Sequence, residues 1–134
     1  MSEKQSIEAE ALHGKAVALT AKFLKRRGYE VVESGLRRNG FPFDIVAREG
    51  KTTAFVEVAV RRGGAPSLEK GTRAVVELSE AAARYAEEHG LAVNGIEGMR
   101  LDLADVCLVE EDKGFLRHYL NAFEPVLGKQ ARSR

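Results

Sequence analysis

The run Ala54-Phe55-Val56-Glu57-Val58-Ala59-Val60 has a single charge, and it lies at the centre. Apolar residues at odd and even positions alike leave neither side of a strand for water. The segment therefore predicts a central β-strand covered on both faces, which only a layered fold can supply. A carboxylate buried there without a partner costs several kcal/mol, so Glu57 demands a cation, a metal or a hydrogen-bond network. Asp44, between Phe43 and Ile45 on the preceding apolar segment, poses the same demand.

The rest of the chain supplies the layers. Leu12, Ala16, Leu19 and Phe23 recur at helical spacing, Lys25, Arg26 and Arg27 load the last turn with cations, and Gly28 is a stop signal. Strands are predicted at 29–33, 43–48, 52–60, 101–109 and 115–120. Ser67 is a candidate cap for a second helix carrying Ala74, Leu78, Ala81, Ala82 and Tyr85 and ending near Gly90. Asp112-Lys113-Gly114 reads as the turn between the last two strands. The order is α-β-β-β-α-β-β, an α/β fold with a sheet flanked by helices. The 134 residues make one domain's worth, predicted over 11–124 with flexible ends at 1–10 and 125–134.

The two carboxylates can be placed relative to each other. A two-residue loop Glu49-Gly50 makes paired positions sum to 99, with Glu57 diagonal to Asp44. A four-residue loop, Glu49 to Thr52, makes them sum to 101 and sets Asp44 opposite Glu57. Either even-length loop puts both carboxylates on one face, about 5–8 Å apart, whereas an odd-length loop would separate them. Two such groups on rigid strands suit a divalent cation with oxygen ligands, Mg²⁺ above all. In an antiparallel hairpin Arg37 and Arg38, before the first strand, gather with Arg61 and Arg62, at the end of the second. A basic rim of this kind can grip phosphates. The plainer alternative is that Arg61 or Arg62 neutralises Glu57 and the others are solvated.

Other chemistries find less support. Lys and Arg number 21 against 20 Asp and Glu, so any basic surface must be local. The lone Cys107 sits in an apolar run and reads as a buried thiol. His13, His89 and His118 show no ligand spacing, and His118 reads as structural. Arg100 and Asp102, two apart on one strand, share a face and can pair. Gly63-Gly64 lacks the context of a phosphate-binding loop. No apolar run is long enough to span a bilayer and the first ten residues are too charged for a secretory signal, so a cytoplasmic protein without a membrane partner is expected.

Asp44-Ile45-Val46-Ala47-Arg48-Glu49-Gly50 followed by Phe55-Val56-Glu57-Val58 resembles the central signature of the YraN family of small bacterial proteins. Gly28-Tyr29, Arg100-Leu101-Asp102-Leu103 and His118-Tyr119-Leu120-Asn121-Ala122-Phe123 match further along, so the resemblance runs from the first helix to Phe123. It implies a restriction-endonuclease-like fold, similar to that of Holliday junction resolvases, with a PD-(D/E)xK site. In that site Asp44 and Glu57 are the acidic and catalytic positions, and the Val58 carbonyl completes the protein ligands of Mg²⁺. Departures accompany it. Ala59 stands where the family carries Lys or Arg, and Pro42 and Val17 replace two family glutamates. The lysine expected at the start of the second helix has only Arg73 nearby. The resemblance thus implies a nucleic-acid-associated protein, with DNA as the expected partner, whose site is impaired, with Lys15 or Arg61 as substitute cations. An active Mg²⁺-dependent endonuclease on branched or single-stranded DNA and a non-catalytic protein-interaction domain are the alternatives, and a homodimer is left open.

Overall fold

The computed structural model describes residues 2–91, 98–110 and 113–126. Helix α1 runs Glu3–Arg26. It starts earlier than the expected flexible 1–10 segment allows, because Ser2 and Gln5 close a capping box: Gln5 N donates to Ser2 Oγ (3.1 Å) and Ser2 N to Gln5 Oε1 (3.0 Å). Its buried stripe is Ala16, Val17, Thr20 and Leu24. Leu19, expected inside, is 51% exposed. The stripe instead passes through Thr20, whose hydroxyl is satisfied by donating to Ala16 O at 2.8 Å. Gly28, at φ +92°, ends the helix as predicted, with Tyr29 N reaching back to Leu24 O.

Strands β1 (Glu30–Ser34), β2 (Ile45–Glu49), β3 (Thr52–Arg61), β4 (Met99–Glu110) and β5 (Lys113–Phe123) form one sheet in the order β1-β2-β3-β4-β5. All neighbours are antiparallel except β3 and β4, which α2 (Thr72–Glu88) connects as a crossover. The sheet is thus mixed and flanked by helices, consistent with the expected restriction-endonuclease-like fold. One side packs α1 on Ile45, Val56 and Val106, and the other packs α2 on Phe43, Phe55 and Leu101, with Tyr85 at its centre. The strand holding Glu57 is covered on both sides, as its composition demands.

The β2–β3 register is Ile45↔Val56 through Glu49↔Thr52, the alternative in which paired numbers sum to 101. Helix α2 starts at Thr72 with Gly71 as its N-cap, later than a Ser67 cap would place it. The stretch between Arg61 and Thr72 is irregular and carries Lys70 back over the sheet. At the β4–β5 hairpin, Lys113 and Gly114, expected in the turn, already pair with Glu110 and Leu108 as part of β5; Asp112 lies outside the described residues. Gly114 is required there, since a Cβ would come within 2.8 Å of Cys107 O. Cys107 is half-buried rather than fully enclosed. Of the predicted flexible end at 125–134, all but the first two residues lie outside the described residues. Among the described residues, no helix is long and apolar enough to cross a membrane.

Candidate functional site

Asp44 precedes β2 and is 1% exposed. Its N–H donates to Val56 O (2.8 Å), so the flat ladder stops at Ile45 rather than continuing to an Asp44↔Glu57 rung. The Asp44 side chain takes over where the β2 backbone leaves off, with Oδ2 accepting from Val58 N at 2.7 Å. A strand residue's N–H and C=O point to the same edge, so the Val58 carbonyl is directed there too.

Three further donors converge on Asp44. Arg37 binds it two-pronged, Nε to Oδ1 (3.1 Å) and Nη2 to Oδ2 (3.0 Å). His13 Nε2, from α1, lies 2.7 Å from Oδ1. Arg37 sits on a single 3₁₀ turn, Leu36–Asn39, between Gly35 and Gly40, both in the left-handed region. Burial works to lower the Arg37 guanidinium, but hydrogen bonding and charge from Asp44, then Glu57, hold it above its ordinary value.

Glu57 is the other half of the predicted pair. Arg37 Nη2 lies 3.6 Å from its Oε2, so one nitrogen bridges the two carboxylates. Lys70 Nζ stands 3.2 Å from Oε1, though not aligned as a hydrogen bond, and that oxygen is buried without a hydrogen-bond partner among the described residues. Lys70 also lies over the Phe123 ring and lines an open cavity of about 830 Å³ between the start of α2 and the end of β5.

The remaining predicted residues separate into two groups. Arg61 neutralises Asp105 on β4 through Nε (3.0 and 3.1 Å) and Nη2 (2.9 Å), not Glu57. Arg38 and Arg62 are exposed and have no ion-pair partner among the described residues. Ala59 pairs in register with Asp105. Lys15, a proposed substitute cation, lines a different groove, with Leu19, Lys22 and Leu108. Arg73 pairs on the surface with Glu77. His13 and Lys70, which reach the acidic pair from a distance, are not marked as site residues by the sequence. His13 lies one helical turn from the buried Ala16 and Val17, and that position is the signal that could have directed it inward.

A divalent cation would need oxygen lone pairs. An ionised carboxylate offers about four such directions, and Asp44 already meets four donors: two from Arg37, one from His13 and one from Val58 N. No group of three or more His, Cys, Asp or Glu able to hold a metal is present among the described residues. As arranged here, the pair does not fit Mg²⁺; it is an ion-pair network closed by the protein's own cations.

The other motif residues converge on a second buried network. Asp102 (1% exposed) accepts from Arg100 Nε and Nη2, from His118 Nε2 (2.7 Å) and from Asn121 N (2.8 Å). Arg100 in turn reaches Tyr29 Oη. Burial works to raise Asp102, but these hydrogen bonds and the Arg100 charge hold it below the usual carboxylate value. Asn121, at φ +50°, is pinned by its bond to Asp102. The expected Arg100–Asp102 pair and the structural His118 are both present, in one support for the end of β5.

Against known proteins, the profile of the Uncharacterised protein family UPF0102 matches residues 18–106. A UPF0102 protein of Geobacter sulfurreducens is 36% identical over 110 residues, 79% of this chain and 83% of that protein. One from Alkaliphilus metalliredigens is 31% identical over 106 residues, 77% and 88% of the two chains. One from Thermotoga neapolitana is 39% identical over 74 residues, 54% and 69%.

Proposed function

The chain belongs to the UPF0102 (YraN) family, and from that premise we propose that it is a DNA-associated protein whose acidic pair is neutralised internally rather than set as a metal centre. The observation that carries this reading is the saturation of Asp44 by Arg37, His13 and Val58 N. Arg37 is held by carboxylates and cannot also grip phosphate without releasing them. Arg38 and Arg62, exposed and without carboxylate partners among the described residues, are the groups left for the backbone of DNA. The absence of a side-chain donor at Ala59 agrees with a site that does not generate hydroxide.

An active Mg²⁺-dependent endonuclease is the second reading. It is favoured by Glu57 Oε1, which accepts no hydrogen bond among the described residues, and by Lys70, whose ammonium stands beside it. It requires Arg37 to leave Asp44. The deciding experiment incubates the protein with linear, flapped and four-way-junction DNA, with and without Mg²⁺ or Mn²⁺, and measures binding and cleavage side by side. Salt-sensitive binding without cleavage is the expected result. Metal-dependent cleavage abolished by Glu57→Ala establishes the second reading, and absence of both activities leaves a protein-interaction domain.

A further inference from the structure

The side of the sheet that carries Glu57 extends beyond the area α2 covers. Side chains alternate along a strand, and directly opposed residues on neighbouring strands point the same way. On β3 and β4, Glu57, Ala59 and Arg61 oppose Leu103, Asp105 and Cys107. Those three in turn oppose Tyr119, Arg117 and Phe115 on β5. Phe115, Arg117 and Tyr119 therefore share one face with Glu57. Helix α2 packs on this side against Leu101, Leu103 and Phe123, and Tyr119 only partly meets that core. Past Leu103 the face is open: Phe115 is 71% exposed, Arg117 is exposed and Cys107 half-buried.

From this position Phe115 adds little to the core, and Glu57 and Asp105, which share this face of the sheet, are already neutralised. The strip therefore presents an exposed ring, a second ring half-buried beside it, and Arg117, a cation without an ion-pair partner among the described residues. A duplex hides the π-faces of its bases in the stack, whereas unpaired bases offer them to exposed aromatic residues while their phosphates meet nearby cations. We infer that the β5 strip of Phe115, Arg117 and Tyr119 is a platform for a single-stranded DNA segment, with Phe115 stacking on a base and Arg117 meeting the adjoining phosphate. The inference rests on the DNA-associated reading above and specifies the form of DNA that it engages.

The test measures fluorescence anisotropy of a labelled oligothymidylate of about 20 nucleotides, longer than the roughly 4–16 that a small domain occludes. A duplex and an oligouridylate of the same length are run beside it. Phe115→Ala is expected to weaken oligothymidylate binding by about tenfold or more, the usual scale of one lost base stack. Phe115→Tyr is expected to retain binding, and duplex binding is expected to be unchanged in both variants. Because Phe115 is exposed, thermal melts should show the variants fold like the parent. If the parent binds oligothymidylate and Phe115→Ala binds it equally well, the platform is overturned while DNA association stands. If the parent binds no DNA, both fail. Tighter binding of oligouridylate overturns the choice of DNA. Loss of self-association in Phe115→Ala with oligothymidylate binding intact assigns the strip to a protein contact and also overturns the inference.

Discussion

Asp44 and Val58 are joined by a 2.7 Å bond from the Val58 backbone N–H to the Asp44 carboxylate, a side chain completing a β-ladder where the neighbouring backbone turns away. Asp44 thus has a stability role apart from any chemistry. Asp44→Ala should destabilise the fold by about 3–5 kcal/mol, because it strands Arg37, His13 and a buried N–H together. Glu57→Gln, whose Oε1 accepts no hydrogen bond, should stay within about 1 kcal/mol of the parent. Urea denaturation of both variants checks the contrast; equal losses would contradict it.

Arg38 and Arg62 should set the salt dependence of DNA binding. Replacing both with Ala should weaken binding to all sequences and flatten the slope of log affinity against log salt by roughly one unit per lost phosphate contact. Arg61→Ala should act differently, since its guanidinium is committed to Asp105. Its main effect should be on stability, with the salt slope nearly unchanged. Titrations at several salt concentrations separate the two.

Asp102 predicts an acid limit to stability. Its folded pKa is depressed below the ordinary value of 3.8, so the unfolded chain binds its proton more readily. The stability it contributes is therefore fully present above about pH 3.8 and is lost as pH falls through the lower folded value. Asp102→Asn should be less stable than the parent at neutral pH, and the gap should narrow in acid. A gap that is constant down to pH 2 would exclude this role.

The sequence made some of this legible and hid the rest for physical reasons. The covered central strand followed from apolar residues on both of its faces, and the hairpin followed from Glu49-Gly50, while the parity and length of its loop stayed open until the register was seen. Gly28 marked the end of α1 because a positive φ was needed there. The partners of the acidic pair were not legible: His13 is 31 positions before Asp44, and Lys70 arrives on an irregular segment without periodicity. Neither local propensity nor strand alternation encodes such encounters. Likewise Arg100, Asp102, His118 and Asn121 stood out as motif residues, but their closure around one buried carboxylate depends on the β4–β5 register.

The central claim is that the protein's own donors occupy Asp44, and the most direct measurement is a Mn²⁺ titration followed by electron paramagnetic resonance. The parent should show no site at the acidic pair tighter than roughly 1 mM. Arg37→Ala, which frees both carboxylates from their shared cation, should bind Mn²⁺ at least about tenfold more tightly than the parent, and Asp44→Asn added to it should abolish the gain. Tight Mn²⁺ binding by the parent, lost in Glu57→Ala, would show that Arg37 yields to the metal and would contradict the account.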